Sequence, residues 1–560
     1  MDEGINSNLE SKFISPFDFK PNQKEVKGLK LLLGYFGIFL IFIGLVVLLP
    51  LIMLIFYHDE AKEFYYYLIP GLSSIAVGFA LFLFIFKKPK GKLTTLEDLL
   101  LVVGVWILIL VISAFPIMFY GYTFTQSLFE TTSGYTNAGM TIMNWSKEIT
   151  SLEDGTSDVV SHMLYFHRAM TQLVGGTGLV LIVSSAISER SNLNLYLLEG
   201  HNDKLLPNLA KSARLIFSIY LSFIIIGSAL YIIVGVKPFD AICHSMAAVA
   251  TGGFSTKANN INTLVAEVSL NGAWRGIMVE VITEILMVLG GVNFVIHYSL
   301  IRGKFNVLKH YEFIVFILMV LFMYPICVIG MSQYYGDIAS GFRYGTFDFI
   351  SAMSTAGFQG IDSYQSHYIN NTMIIYPSYL MLTTALIMSI GMQSGSTCGG
   401  IKQSRIGLIL LNVKWRIETS FGKADQYRVK TTYKFGNKVR IEKSEVNEAE
   451  TFLILYVTVL LVGSIILSMI CSFNNITKTL VDGSVETYNF LDCFFEFASC
   501  IGDNGLSSGL SNYSTMPAIL WIELIGMFLG RLELFVFITL GGKIYQRIKS
   551  GKHVAINDNI

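Results

Sequence analysis

The chain has 560 residues, of which 53% are hydrophobic and only 14% are charged. Because soluble globular proteins carry about 25% charged residues, this composition excludes an ordinary soluble enzyme. Forty Lys and Arg residues balance forty Asp and Glu residues. Without a basic excess, nothing in the charge indicates a nucleic-acid partner. We therefore expect membrane lipid to surround the chain.

Ten apolar runs are long enough to form transmembrane helices, which need about 20 predominantly apolar residues each. The eighth run has a broken continuation to about residue 411. The sequence therefore predicts an all-α integral membrane protein with ten transmembrane helices. The predicted spans lie near 29–57, 65–86, 96–119, 163–186, 214–236, 274–300, 311–332, 374–391, 451–472 and 516–541.

Lys and Arg residues cluster in alternate loops, as in the sequence KKPKGK at 87–92. Loops with such an excess usually face the cytoplasm. If the chain crosses the membrane ten times, all of these basic clusters lie on the same side of the membrane. The distribution predicts a multi-pass protein of the plasma membrane with both termini in the cytoplasm. The basic stretch 412–450 is predicted to be a solvated cytoplasmic loop and the leading docking surface for a cytosolic partner.

Four of the other loops contain a short, half-apolar stretch that ends in a glycine-rich turn. These stretches are 129–141, 243–256, 347–360 and 495–509. Aligned without gaps, each has a polar residue nine positions before a glycine and a small residue six positions before it. A plain extracellular turn would explain one such loop. Four copies in register indicate a fourfold repeat of span, re-entrant loop and span.

The predicted repeat divides the chain into eight parts. The appended spans at the N-terminus do not belong to the repeat. The parts are a cytoplasmic N-terminal tail (1–28), two extra spans (29–92), repeat 1 (93–213), repeat 2 (214–310), repeat 3 with a broken second span (311–411), the cytoplasmic loop (412–450), repeat 4 (451–545) and a cytoplasmic C-terminal tail (546–560).

Re-entrant loops predict a pore, because non-helical backbone at membrane depth must line water or be enclosed by protein. Four loops around one axis would direct backbone carbonyls inward, as cation filters do. Glycine suits such a turn because it adopts positive φ without strain. We predict a site for a monovalent cation formed by the glycine and the two residues before it in each loop: Asn137, Ala138, Gly139, Thr251, Gly252, Gly253, Thr355, Ala356, Gly357, Asp503, Asn504 and Gly505.

Two further features interrupt apolar runs. The sequence GMQSGSTCGGIK at 391–402 breaks a predicted span, so it must line a cavity or pack against protein. Arg531 lies within the last apolar run, where a buried charge is expensive and is expected to face water or a partner. Facing the pore, Arg531 would repel cations. The alternative is an ion pair with Glu533, Glu523 or an acidic residue of another repeat.

The chain resembles the potassium-uptake pore subunits of the Trk/Ktr/HKT superfamily and is closest to the TrkH branch. The resemblance covers about residues 29–545. Besides the four glycine loops, it rests on the segments QLVGGTGLVLI (172–182), FDAICHSMAAVATGGFST (239–256), LGGVNFVIHY (289–298), GSTCGGIKQSRI (395–406) and LGRLELF (529–535).

The resemblance implies passage of K⁺ or Na⁺, a homodimer with one pore per subunit, and a cytosolic ring of nucleotide-binding RCK domains as regulatory partner. It implies no organic cofactor and no enzymatic activity. It further implies an intramembrane gate, formed by Gly391, Gly395, Ser396, Thr397, Gly399 and Gly400 together with Arg531. The fourth loop departs from the commoner family pattern, since Asp503 and Asn504 precede its glycine.

Three functions are compatible with a polytopic chain. A potassium pore is favoured, and a sodium-permeable pore or an ion-coupled secondary transporter is the alternative. The glycine loops recur in one orientation, which argues against the inverted repeats of many secondary transporters. A membrane-embedded enzyme would need a constellation of catalytic or metal-ligating residues, which the scattered histidines do not supply.

Overall fold

The computed structural model describes residues 25–88, 91, 93–145, 161–177, 209–360, 364, 366–369, 372–421, 430–532 and 534–557. Most of the predicted N-terminal tail, residues 178–186 of the predicted span 163–186, and the basic residue Lys204 lie outside the described residues. The described part is almost entirely helical, which agrees with the predicted all-α class.

Nineteen α-helices are present in these residue ranges. They are α1 (Leu29–Leu48), α2 (Phe64–Phe82), α3 (Thr95–Phe119), α4 (Phe124–Thr136), α5 (His162–Thr177), α6 (Leu209–Val234), α7 (Pro238–Val249), α8 (Asn260–Ser269), α9 (Ala273–Gly291), α10 (Phe294–Ile301), α11 (Glu312–Phe322), α12 (Tyr324–Tyr335), α13 (Ile338–Met353), α14 (Ser378–Ser389), α15 (Gln403–Ser420), α16 (Lys443–Phe473), α17 (Phe490–Gly502), α18 (Pro517–Arg531) and α19 (Leu534–Asn557).

Three antiparallel hairpins connect helices. They are formed by β1 (Ser366–Ile369) with β2 (Thr372–Ile375), β3 (Thr431–Lys434) with β4 (Asn437–Arg440), and β5 (Thr477–Thr479) with β6 (Val485–Thr487). Short 3₁₀ helices cover Leu49–Ile55, His58–Glu63 and Phe305–Leu308.

Six helical stretches of the described chain are long and apolar enough to cross a membrane, or up to eight if each bent helix pair is one span. The eighth predicted span is represented by α14, which has only 12 residues. The fourth predicted span continues from α5 beyond the described residues. The ten-span count and the four-repeat architecture therefore stay predictions.

Two runs predicted as continuous spans are sharply bent. The run 274–300 consists of α9 and α10, which meet at 101°. Asn293 causes a new helix start at this bend, because its side chain accepts the backbone N–H of Val295 at 2.7 Å as an N-cap. The run 516–541 consists of α18 and α19, which meet at 91° directly after Arg531.

The stretch 412–450 contains more regular structure than a plain loop. Helix α15 runs into it as far as Ser420, the β3–β4 hairpin follows, and α16 begins at Lys443. Asn412 connects these elements, since its side chain accepts from Lys430 at 2.9 Å and donates to Glu450 at 2.8 Å.

Four short helices, α4, α7, α13 and α17, are buried inside the bundle where they end. Their starts carry ordinary N-terminal signals. Thr123 and Asn489 form capping boxes, Asp337 caps α13, and Pro238 is the first residue of α7. We call these four the short helices. Each one leads directly into one of the predicted glycine turns.

Candidate ion-conduction site

Each short helix is followed within two residues by a residue with left-handed backbone conformation. These residues are Asn137 (φ 65°), Thr251 (φ 53°), Thr355 (φ 51°) and Asp503 (φ 50°). Two positions later stand Gly139 (φ 71°), Gly253 (φ 72°), Gly357 (φ 72°) and Gly505 (φ 105°). We call 137–139, 251–253, 355–357 and 503–505 the glycine segments. The four segments share one backbone pattern, although their side chains differ.

One hydrogen bond recurs in all four glycine segments. The N–H of the middle residue donates to the carbonyl of the small residue five positions earlier, in the short helix. The distances are 2.9 Å for Ala138 to Ser133, 2.8 Å for Gly252 to Ala247, 3.0 Å for Ala356 to Ser351 and 2.9 Å for Asn504 to Ser499. This bond holds each segment close to the C-terminal end of its own helix.

The glycine segments lie side by side and form a closed ring. A side-chain carbon on the glycine of any segment would clash with the carbonyl oxygen of the middle residue in the next segment. The contacts run from Gly139 to Gly252, from Gly253 to Ala356, from Gly357 to Asn504 and from Gly505 back to Ala138. The structure thus brings all twelve predicted residues together around one axis. Ion binding by these residues stays a prediction.

The polar residue nine positions before each glycine binds the chain that leaves the ring. The sequence pattern found these residues without giving them a role. The pairs are Glu130 with the Ile142 N–H (3.1 Å), His244 with the Ser255 hydroxyl (2.9 Å), Asp348 with the Tyr364 hydroxyl, and Glu496 with the Ser508 N–H (2.7 Å). Each side chain therefore fixes the start and the exit of its own loop.

Arg168 of α5 joins the first loop to the second. Its Nε donates to Glu130 at 2.7 Å, and its Nη1 donates to the backbone carbonyl of Ser255 at 2.8 Å. The side chains of Arg168 and Glu130 are only 2% and 0% exposed. A buried ion pair of this kind is strongly destabilised when one partner is removed.

The glycine end of the ring opens into a cavity of about 300 Å³. Gly139, Gly253 and Gly505 line this cavity, as do the hydroxyl-bearing residues Thr141 and Ser507. The cavity therefore lies directly against the glycine side of the ring.

The 391–400 loop covers the opposite end of the ring. The hydroxyl of Thr397 lies 3.0 Å from that of Thr251. The N–H of Gly399 donates to the Thr355 hydroxyl at 2.7 Å. Two predicted gate residues therefore contact the first residues of two glycine segments directly. Gly391 packs against Gly399 within the same loop.

The rest of the predicted gate lies against the bend between α9 and α10. Gly395 packs on the side chain of Asn293, and Asn293 donates to the carbonyl of Ser394. The side chain of Gln393 accepts the Asn293 N–H at 3.0 Å. The hydroxyl of Ser396 donates to the backbone carbonyl of Gln393 at 2.6 Å. Gly400 closes the loop near Gly391 and the end of α14. Asn293 and Gln393 were not predicted from the sequence as site residues.

Two basic side chains hold successive carbonyls of the 391–400 loop. Arg531 donates to the carbonyl of Thr397 at 3.3 Å and to that of Gly175, and Lys402 donates to the carbonyl of Cys398. Among the described residues Arg531 and Glu523 form no ion pair, and the carboxylate of Glu523 accepts a hydrogen bond from the Ser511 hydroxyl at 2.8 Å. Glu533 lies outside the described residues.

The position of Arg531 can be understood from a glycine that recurs in the predicted repeats 1, 2 and 4. A side-chain carbon on Gly175, Gly290 or Gly530 would clash with a carbonyl oxygen at the end of a short helix, so close packing requires glycine there. The next residues are Gly176, Gly291 and Arg531. Aligning LVGGTG (173–178), VLGGVN (288–293) and FLGRLE (528–533) would have found this equivalence in the sequence. No recurring sequence pattern of this kind would have identified Lys402.

Comparisons with known proteins agree with this arrangement. The chain matches the TrkH family, described as a cation transport protein, over residues 80–547. The Trk system potassium uptake protein TrkH of Escherichia coli (strain K12) is 27% identical over 475 residues, which cover 81% of this chain and 86% of that protein. TrkG of the same strain is 26% identical over 517 residues, covering 89% of this chain and 94% of that protein.

A solved structure shares the fold. The crystal structure of the potassium transporter TrkH from Vibrio parahaemolyticus matches with a TM-score of 0.72 and 21% identity. The match covers 92% of this chain and 98% of that chain.

Proposed function

Because the chain belongs to the TrkH family of cation transport proteins, we propose that this multi-pass membrane protein takes up K⁺ across the plasma membrane through the ring of glycine segments. The observation that carries the proposal is the closed ring, in which each segment contacts the next and all four share one backbone pattern. Two relatives, 27% and 26% identical, are named potassium uptake proteins. A sodium-permeable pore is the second candidate, since K⁺ and Na⁺ use the same kind of ligand.

The ring supplies the chemistry that a desolvated cation needs. Backbone carbonyls replace the hydration shell of the ion. The C-terminal ends of the four short helices meet at the ring, and each carries a partial negative charge that favours a cation. The ion enters from the 300 Å³ cavity at the glycine end. Inward movement down the membrane potential is favoured by about 2.3 kcal/mol per charge per 100 mV.

The 391–400 loop acts as the gate in this proposal. It lies across the end of the ring opposite the cavity, and hydrogen bonds to Thr251 and Thr355 hold it there. Arg531 adds a positive charge at this point, which repels a cation far more strongly in a desolvated pore than in water. When the loop withdraws, its hydrogen bond with Arg531 must break or the Arg531 side chain must move with it.

A cytosolic partner would control the gate through α15. This helix begins at Gln403, only a few residues after the gate loop, and continues into the basic stretch 412–450. A force on α15 or on the β3–β4 hairpin would therefore reach the loop along the chain. We propose this surface as the docking site of an RCK-type nucleotide-binding ring, a homodimer as the assembly, and a cytoplasmic position for both termini.

The function is tested by cation uptake into proteoliposomes that contain the purified protein. An imposed membrane potential should drive K⁺ and Rb⁺ inward, with Na⁺ and Li⁺ competing poorly. Equal uptake of Na⁺ would favour the sodium-permeable pore. Uptake that requires an imposed Na⁺ or H⁺ gradient at constant potential would favour an ion-coupled transporter. Protein-free vesicles give the background flux.

A further inference from the structure

Asp503 differs from the equivalent residues of the other glycine segments. The first residues are Asn137, Thr251, Thr355 and Asp503, and only the last carries a charge. The Asn137 amide donates to two backbone carbonyls, at 3.1 and 2.7 Å. Thr251 and Thr355 are hydrogen-bonded to the 391–400 loop. Three of the four side chains thus have a partner that explains their position.

The Asp503 carboxylate has no such partner. Its side chain is 0% exposed, and neither oxygen has a hydrogen-bond partner among the described residues. The hydroxyl of Thr136 lies close enough to interact with the carboxylate, but its hydrogen bond is donated to the carbonyl of Thr132 at 2.8 Å. A buried carboxylate without a partner is costly, so buried acids normally pair with a cation or a donor.

The Asp503 side chain lies beside the 391–400 loop and beside Gly530 of α18. Its Oδ2 is 3.2 Å from the place that a side-chain carbon on Gly530 would occupy, and its Cβ lies beside Gly399 of the loop. Arg531 and Lys402 are close enough to interact with it electrostatically. Both donate hydrogen bonds to carbonyls elsewhere, Arg531 to Thr397 and Gly175 and Lys402 to Cys398.

We propose that Asp503 is a ligand for the permeating monovalent cation at the inner end of the ring. When the 391–400 loop withdraws, the hydroxyls of Thr251 and Thr355 lose their partners on the loop, and Asp503 loses its contact with Gly399. The three side chains then offer oxygen ligands and one full negative charge below the carbonyl ring. Acidic side chains at the mouth of a pore attract cations in this way. The inference rests on the proposed function.

The test is ⁸⁶Rb⁺ uptake into proteoliposomes by wild type, D503N, R531Q and the double variant. Asn matches Asp in size but lacks its charge. D503N should need a roughly tenfold higher Rb⁺ concentration for half-maximal uptake, as expected for loss of one charged ligand. The loss should persist when Arg531 is also replaced. Glu284→Gln is the matched control, because it removes a half-buried carboxylate of α9, away from the glycine segments.

Two results would overturn the inference, and a third would overturn the proposed function on which it rests. Unchanged Rb⁺ dependence in D503N would remove Asp503 as a ligand. A loss seen only while Arg531 is present would mean that Asp503 merely balances that charge. If the wild-type protein takes up no cation at all, the proposed function itself is wrong. The wild-type measurement alone separates this outcome from the other two. If D503N does not yield folded protein, Asp503→Ser replaces it, since serine removes the charge but retains one oxygen.

Discussion

The guanidinium of Arg531 donates a hydrogen bond to the backbone carbonyl of Thr397, at 3.3 Å. The two residues are 134 positions apart in the chain. This contact connects the bend between α18 and α19 to the loop that covers the ring. The Arg531 charge and the 391–400 loop are therefore joined directly, and a variant of either should affect the other.

Replacing Arg531 with Gln should increase cation leak when no cytosolic partner is present. The variant removes the positive charge below the ring and weakens the bonds that hold the 391–400 loop. Ion preference should change little, because the glycine segments are not altered. The measurement is ⁸⁶Rb⁺ efflux from proteoliposomes, and several-fold faster efflux is expected.

Lys549→Gln is the control for this variant, since it removes an exposed basic residue of α19 far along the helix. Its efflux should equal that of wild type. If Arg531→Gln gives poorly folded protein with unchanged leak, then Arg531 has only a structural role and the loop alone forms the gate.

Replacing a ring glycine with serine should weaken the discrimination of K⁺ from Na⁺. At Gly139, Gly253, Gly357 and Gly505 the new side chain would clash with the neighbouring carbonyl, and the positive φ adds strain of about 1 kcal/mol or more. The carbonyl positions must therefore shift. The measurement is the ratio of K⁺ to Na⁺ uptake for each of the four single variants.

Gly541→Ser is the matched control, because a side-chain carbon at this helical glycine meets no atom within 4 Å. It should retain the wild-type ratio. Unchanged ratios in all four ring variants would contradict the assignment of these segments to the ion path.

Much of the fold could be predicted because apolar length and glycine placement act locally. The run 96–119 became α3 (Thr95–Phe119) almost without change, since Thr94 and Glu97 mark its start as a capping box. The bend at Asn293 was missed. Apolar residues continue on both sides of it, and hydropathy does not register the direction of a helix. Only the hydrogen bonds of Asn293 reveal the break.

The site was predictable where it repeats and unpredictable where it is unique. The glycine segments occur four times, so their alignment identified residues that are far apart in the chain. Lys402 and Gln393 occur once, and their contacts depend on how the 391–400 loop folds back. The Arg531 contact with Thr397 likewise depends on tertiary structure. The sequence indicated only that a charge in this apolar run needs a partner.

Replacing Arg168 with Met should destabilise the protein strongly. The Glu130 carboxylate would remain buried without its cation, which typically costs 3–5 kcal/mol. The expected result is a clearly lower midpoint of thermal unfolding, measured by the fluorescence of thiol or tryptophan probes in detergent. The double variant Arg168→Met with Glu130→Gln should recover part of the loss, because the uncompensated charge is gone.

Lys414→Met is the control for this ion pair. Lys414 contacts Glu418 at 3.9 Å, and the two side chains are 67% and 42% exposed, so water can solvate the Glu418 charge that remains. Its unfolding midpoint should fall much less. An equal fall for both variants would show that burial of the Arg168 pair does not decide its contribution.

Replacing Thr397 with Val should make the gate easier to open. The Thr397 hydroxyl contacts the Thr251 hydroxyl at 3.0 Å and the Gly290 carbonyl at 3.0 Å, so it binds the loop both to the ring and to α9. Valine has nearly the same shape but makes neither bond. Loss of two hydrogen bonds of about 1 kcal/mol each shifts a closed-to-open equilibrium by roughly tenfold or more. Basal ⁸⁶Rb⁺ flux should rise while the K⁺ to Na⁺ ratio is retained.

Thr419→Val serves as the control, because this exposed threonine of α15 bonds only the carbonyl of Trp415 in its own helix among the described contacts. Its flux should match wild type. Deleting 391–400 altogether should raise flux further than Thr397→Val does, because it also removes the Gly399 bond to Thr355. If the deletion variant folds and conducts no faster than wild type, the loop does not obstruct the path, and the barrier must lie in Arg531 or within the ring.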